Sequence, residues 1–260
     1  MSGRPVRAPG PGAPPAGADR RAAPRSWPAT AVEAGFRLLA RARGAPALHP
    51  HGLTCAADLE VVGGADGFSW GAPWLDTPGR YAATVRLSRG AGLPPRLPDA
   101  LGLAVRVTQA DGPGRPLDLL LTTSGRGRIT RRLPLLRADA LGGPYSSLLS
   151  YRVGGRPHLL AAFPRPAPRG PVHGDPASLA GALAAGPLVL DLRAAPAGRP
   201  WRTFAVLTVR TVLPLPQDES LDFDIYAHNL PGLVPGGTLA ATRRAAYRGS
   251  RTGRGGARKT

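Results

Sequence analysis

Residues 242–254 read TRRAAYRGSRTGR, so that one tyrosine, Tyr247, stands among five arginines. On a helix, Arg243 at i−4 shares the face of Tyr247. A phenol ordinarily ionises near pH 10, and an adjacent guanidinium favours the phenolate by charge and by hydrogen bonding. A phenolate is a hard anionic ligand suited to ferric iron, and tyrosine is one of the few side chains that ligate haem iron. The plain alternative is a tyrosine capping a domain, with its arginines in water. This stretch alone leaves both open. Elsewhere the chemistry is sparse. The histidines are His49, His51, His158, His173 and His228, and the HPHG stretch at 49–52 suits a strand or turn with no obvious third metal ligand. There is no GxGxxG, Walker loop, HExxH or GxSxG. The single cysteine, Cys55, rules out an intrachain disulfide and a cysteine-based metal site, and fits a reducing, cytoplasmic setting.

Something must position such residues. Residues 1–25 are rich in Pro, Gly, Ala and Arg and are expected to be a disordered tail. Residues 26–44 have the pattern of a helix, with Thr30 and Glu33 as a capping box and Gly44 as its stop. From about 54 the apolar period changes to two, and strands are expected at 54–62, 81–89, 101–109 and 117–124. An extended hairpin is expected over 145–153 and 157–164 around Gly154–Gly155, then a short helix at 175–186. Strands at 187–195, 201–213 and 220–227 and a helix at about 237–249 complete the pattern. Many strands with hairpin-length gaps argue for an antiparallel sheet. Eight or so in one domain favour closure into a barrel, which could enclose a ligand, although the period alone does not separate barrel from sandwich. The expected organisation is a tail at 1–25, one mainly β (α+β) barrel domain with a few flanking helices at 26–254, and a basic tail at 255–260.

The 260 residues carry a net charge of +18, almost all from arginine, with Lys259 the only lysine. Such a charge points towards polyanions. Two basic ends and a GC-rich coding bias also produce it, and no recognition helix or zinc-finger pattern is visible, so nucleic acid is not the expected partner. No apolar run reaches the length of a membrane span, and the N-terminus has no apolar core of a secretory signal.

Four blocks, in order, resemble the haem catalases. ALHPHGLTCAADLEV (47–61) resembles the segment in which a distal histidine precedes a glycine and then an F-E-V strand, here His49, Gly52 and LEV. VRLSRGAG (85–92) resembles the R-F-S motif with Arg86 and Ser88, and LPDALGLAVRV (97–107) resembles D-x-R-G-F-A. HNLPGLVPGGTLAATRRAAYRGSRTGR (228–254) resembles the proximal segment, with Pro231, Gly232, Arg243, Tyr247 and Arg254.

The resemblance implies a catalase-like antiparallel barrel binding ferric haem b and acting on hydrogen peroxide or an organic hydroperoxide, with self-association allowed for. It implies Tyr247 as the iron ligand, Arg243 holding it ionised, and Arg86 and Arg254 pairing with haem propionates. His49 would be the acid–base group and Ser88 would fix its tautomer. Thr122 stands where the family carries a distal asparagine, in LLTTSG rather than G-N-N-T-P, and Pro46 stands where it carries an arginine. Those departures keep in view a haem-free barrel binding an apolar small ligand, and the charge of +18 keeps in view a basic binder of nucleic acid or acidic surfaces.

Overall fold

The computed structural model describes residues 51–64, 67–90, 93–94, 96–166, 170–215 and 221–236. His49, Arg243, Tyr247 and Arg254 lie outside the described residues, as do the helices expected at 26–44 and 237–249.

The strands are β1 (His51–Val61), β2 (Gly79–Arg89), β3 (Leu101–Val107), β4 (Leu117–Thr123), β5 (Tyr145–Ser146), β6 (Tyr151–Val153), β7 (Arg156–Pro164), β8 (Leu188–Pro196), β9 (Arg202–Val212) and β10 (Leu233–Pro235). Helix α1 (Pro73–Asp76) is a single turn, and α2 (Pro176–Ala184) is two turns long. Every pairing of these strands is antiparallel. The order β7-β5-β4-β3-β2-β1-β9-β8 closes on itself through β7–β8, giving an eight-stranded barrel, while β6 and β10 extend from β7. The expectation of an antiparallel barrel holds, and closure removes the exposed edges that a sandwich would retain.

Alternation sets the two faces of the wall. Leu53, Leu87, Leu103 and Leu121 form one register row across β1–β4, and Cys55, Val85, Val105 and Leu119 form the next inward row; all are buried. Successive side chains of a strand point to opposite faces, so the residues between these rows face outwards. Aliphatic side chains therefore line most of the interior, with the buried Thr123 and Tyr145 at one end. Helix α2 starts at Asp175, whose carboxylate accepts from the Ser178 amide at 3.0 Å, and buries Leu179 and Leu183 over β9 and β1. No helix among the described residues is long and apolar enough to cross a membrane.

Two expectations change. The 145–153 run is broken into β5 and β6. Ser146 Oγ donates to the Arg131 carbonyl (2.6 Å) and accepts from the Leu148 amide (3.3 Å), and Leu148 adopts φ 55°. These local bonds replace ladder bonds. The 220–227 run is not a strand where it is described, from 221. The Asp224 carboxylate accepts from the amides of Tyr226 (2.9 Å) and Ala227 (3.1 Å), and the His228 amide donates to the Asp224 carbonyl, so the segment turns instead. The turn at Gly154–Gly155 forms as expected, with φ of 54° and 82°. Both positive values are those of a two-residue hairpin turn, and glycine adopts them without steric cost.

Candidate functional site

Three of the sequence-derived site residues are described, and all three lie on the outer face of the wall. Register places Gly52 opposite Ser88, Ser88 opposite Gly102, Gly102 opposite Thr122 and Thr122 opposite Ser146. The neighbouring outer row is Thr54, Arg86, Ala104 and Leu120. Arg86 and Ser88 are two residues apart on β2 and hence on one face. Thr122 lies two strands from Ser88, about 10 Å at ordinary strand spacing. The barrel thus holds these residues on its outside, and its aliphatic lumen is not the pocket that the closed sheet suggested.

The floor of this face is built of small residues. A Cβ at position 52 would meet the Leu87 carbonyl oxygen at 2.7 Å and Cζ of Arg86 at 3.0 Å, so glycine is what lets the guanidinium lie across the strand. Arg86 is buried and its Nη1 donates to Thr54 Oγ1 at 3.5 Å. Burial lowers its pKa from the ordinary guanidinium value, the direction that an anion laid against it would oppose. Ser88 is buried as well, whereas Thr122 is half-buried.

A planar group with an acidic edge fits these features. It needs a low floor, towards which Gly102 and Ala104 contribute, and a cation near its carboxylate, for which the Arg86 guanidinium, lying over Gly52, is the candidate. It also needs a few hydroxyls rather than bulky side chains. Haem is such a group. The iron ligand expected in Tyr247 and the acid–base group expected in His49 are outside the described residues, so this fit concerns one side of the site only.

One end of the same face carries a polar clasp that sequence reasoning missed. The Asp118 carboxylate, 0% exposed, accepts from Arg106 Nε (2.8 Å) and Nη2 (2.7 Å), from the Asp224 amide (2.7 Å) and from His228 Nδ1 (2.8 Å). Arg106 Nη2 also donates to the Asp222 carbonyl (2.6 Å), and its guanidinium lies 5.1 Å from the Phe223 ring centroid. The hydrogen bonds that Arg106 donates to Asp118 raise its pKa above the ordinary value, against the opposing effect of burial. This clasp fastens the 221–228 turn to β3 and β4. The one sequence signal was an aspartate in an otherwise apolar LDLLL run. A separate open groove of about 430 Å³ on β2, β1 and β9 is lined by two neutralised pairs, Asp58–Arg210 and Glu60–Arg80, and shows no catalytic grouping.

No protein-family model matches the sequence, and no curated protein matches it. Solved catalases overlay the fold. Catalase A from Saccharomyces cerevisiae does so with a TM-score of 0.53 at 14% identity, over 86% of this chain and 64% of that one. A bacterial catalase gives 0.55 at 13% identity, over 91% and 62%. At such identity the likeness is one of fold, and the chain spans less than two thirds of either catalase.

Proposed function

We propose that this chain is a catalase-like haem protein that reacts with hydrogen peroxide or an organic hydroperoxide. The observation that carries the reading is the gathering of Arg86, Ser88 and Thr122 on a floor of small residues outside a catalase-like barrel. The motif resemblance singled out those three residues, and strand register brings them to one face.

In this reading residues 26–254 form the catalase-like domain, flanked by a tail at 1–25 and a basic tail at 255–260. Tyr247 holds the iron through its phenolate oxygen, and Arg243 keeps that oxygen ionised. Arg86 and Arg254 take the two carboxylates of the porphyrin. Bound ferric haem supplies the electrons for cleavage of a peroxide O–O bond. His49 takes a proton from one peroxide oxygen and returns it to the other, so that water or an alcohol leaves. Ser88 holds the second imidazole nitrogen of His49 and thereby fixes its tautomer. Thr122 donates one hydrogen bond to the peroxide. Its hydroxyl is shorter than an amide, which favours slower peroxidase turnover, or chemistry on a larger hydroperoxide, over fast disproportionation. The lone thiol agrees with a cytoplasmic protein, and self-association belongs to the same reading.

The test is the visible absorption spectrum of protein purified from haem-supplied cells. The expected result is a Soret band with high-spin ferric features that shifts or vanishes in Tyr247→Phe. A folded, colourless protein that does not take up added haemin would refute the reading.

A further inference from the structure

A second feature lies in the turn that follows β4. The segment GRGRITRR (125–132) carries Arg126, Arg128, Arg131 and Arg132, and PAGRPW (196–201) carries Arg199; neither contains a carboxylate. The structure locks the two segments together. Arg128 Nη2 donates to the Gly198 carbonyl at 3.2 Å and Arg131 Nη1 to the Arg199 carbonyl at 3.2 Å. Arg132 Nη1 reaches Ser150 Oγ at 3.4 Å. The Arg131 guanidinium also lies 5.2 Å from the Trp201 ring centroid, and Trp201 packs edge-on to Phe163 at 5.4 Å.

Among the described residues none of these five arginines is in an ion pair. The contrast is Arg193, which stacks on the same Phe163 and has Asp191 at 2.8 Å. The pKa of Arg131 lies below the ordinary guanidinium value, through burial first and then through the charges of Arg132 and Arg128. Like charges are thus held close on a rigid frame without a carboxylate between them.

We infer that this surface, formed by the 125–132 turn and the β8–β9 turn, binds the phosphodiester backbone of nucleic acid. A guanidinium has five donors in a fixed fork, and the braced arginines here spend one or two on carbonyls or a hydroxyl. Arg126, Arg128 and Arg199 are exposed. Forks fixed by the backbone suit discrete phosphates, which they take bidentately. An anionic membrane is the weaker match. Ile129, 72% exposed, is the large aliphatic side chain these segments expose, and a single such residue is ordinary on a soluble surface. With guanidiniums as its main polar groups, the surface is expected to bind by charge more than by sequence.

The test is fluorescence anisotropy of a labelled single-stranded DNA oligonucleotide titrated with the full chain over a range of salt. Replacing Arg126, Arg128, Arg132 and Arg199 by Gln removes four phosphate contacts. It should make the log–log salt dependence shallower by about 3 and weaken binding at least about 10-fold. A matched variant with Arg4, Arg7, Arg20 and Arg21 changed to Gln removes the same charge from the N-terminal tail and should change both much less. A second pair, Arg126→Glu with Arg199→Glu, reverses charge on two exposed side chains that make no hydrogen bond among the described residues, and should weaken binding without affecting folding. The inference is overturned if the patch variants lose no more affinity than the tail variant, or if the chain binds phosphatidylserine vesicles in preference to DNA. Neither readout requires haem.

Discussion

Substituting Asp118 by alanine should release the 221–228 turn from the barrel. Its carboxylate is fully buried and accepts four hydrogen bonds, two from one guanidinium. Deleting it strands the Arg106 charge, which is about one-fifth exposed, and leaves the Asp224 amide and His228 Nδ1 without their acceptor. Breaking a buried pair from one side costs about 3–5 kcal/mol, and the partial exposure of Arg106 argues for the lower end. Denaturant unfolding should show a stability lower by about 3 kcal/mol, seen as a lower midpoint at constant m-value. If the loss is local, amide exchange at Asp224 and His228 should quicken by about 100-fold, the equivalent of about 3 kcal/mol, while amides of β1–β4 change little. Adding Arg106→Met removes the stranded charge and should restore most of the stability, because the cost lies in the unpaired partner. An Asp118→Ala protein within about 0.5 kcal/mol of wild type, or a double variant no better than the single one, would refute the reasoning.

Three further predictions rest on other features. Gly52→Val should cost about 1–3 kcal/mol, seen as a lower thermal midpoint, because its Cβ would meet the Leu87 carbonyl and push Arg86 aside. On the proposed haem-binding reading, the same variant in haem-supplied cells should also retain less Soret absorbance per mole. Burial raises the Cys55 thiol to about 11 from an ordinary value of 9.0. Between those values the unfolded chain loses a proton that the folded one keeps, so stability falls as pH rises from about 9 to 11. Unfolding titrations against a Cys55→Ala control should show a loss of about 2–3 kcal/mol, with no contribution from this group below pH 9. Gly154→Ala should disrupt the β6–β7 hairpin, since a Cβ there would lie 2.1 Å from the Trp70 carbonyl oxygen at a φ of 54°. Chemical unfolding should register a loss of about 2 kcal/mol or more.

Much of the wall was legible because β1–β4 alternate cleanly, and alternation is a local property. The spacing of Arg86 and Ser88 already placed them on one side of a strand. That Thr122 shares their face two strands away depends on register, which is fixed by turn geometry and partner strands rather than by the run itself. Alternation also misled. Leu221, Phe223 and Ile225 have the period of a strand, yet the Asp224 side chain closes a turn there and Asp118 takes its amide. In 145–153 the hydroxyls of Ser146 and Ser147 take bonds that a ladder would have made. The Asp118–His228 link spans 110 positions, beyond the reach of any local pattern. The outward position of the candidate site also escaped reading, because a closed sheet offers two faces and the sequence pattern does not say which is the inside.

The leucine row at 53, 87, 103 and 121 and the outer row at 52, 88, 102 and 122 differ by one position along each strand. Even and odd numbering in these strands therefore separates chemistry from cohesion. Deleting or adding a single residue within β2 would send Arg86 into the aliphatic lumen and turn a leucine towards the outer face. A two-residue change would restore parity. Length variation in this architecture is thus confined to turns, or must come in pairs. Substitutions on one face, by contrast, can accumulate with little reference to the other. A barrel wall of this kind can exchange its outward chemistry wholesale while its inward packing stays as it is.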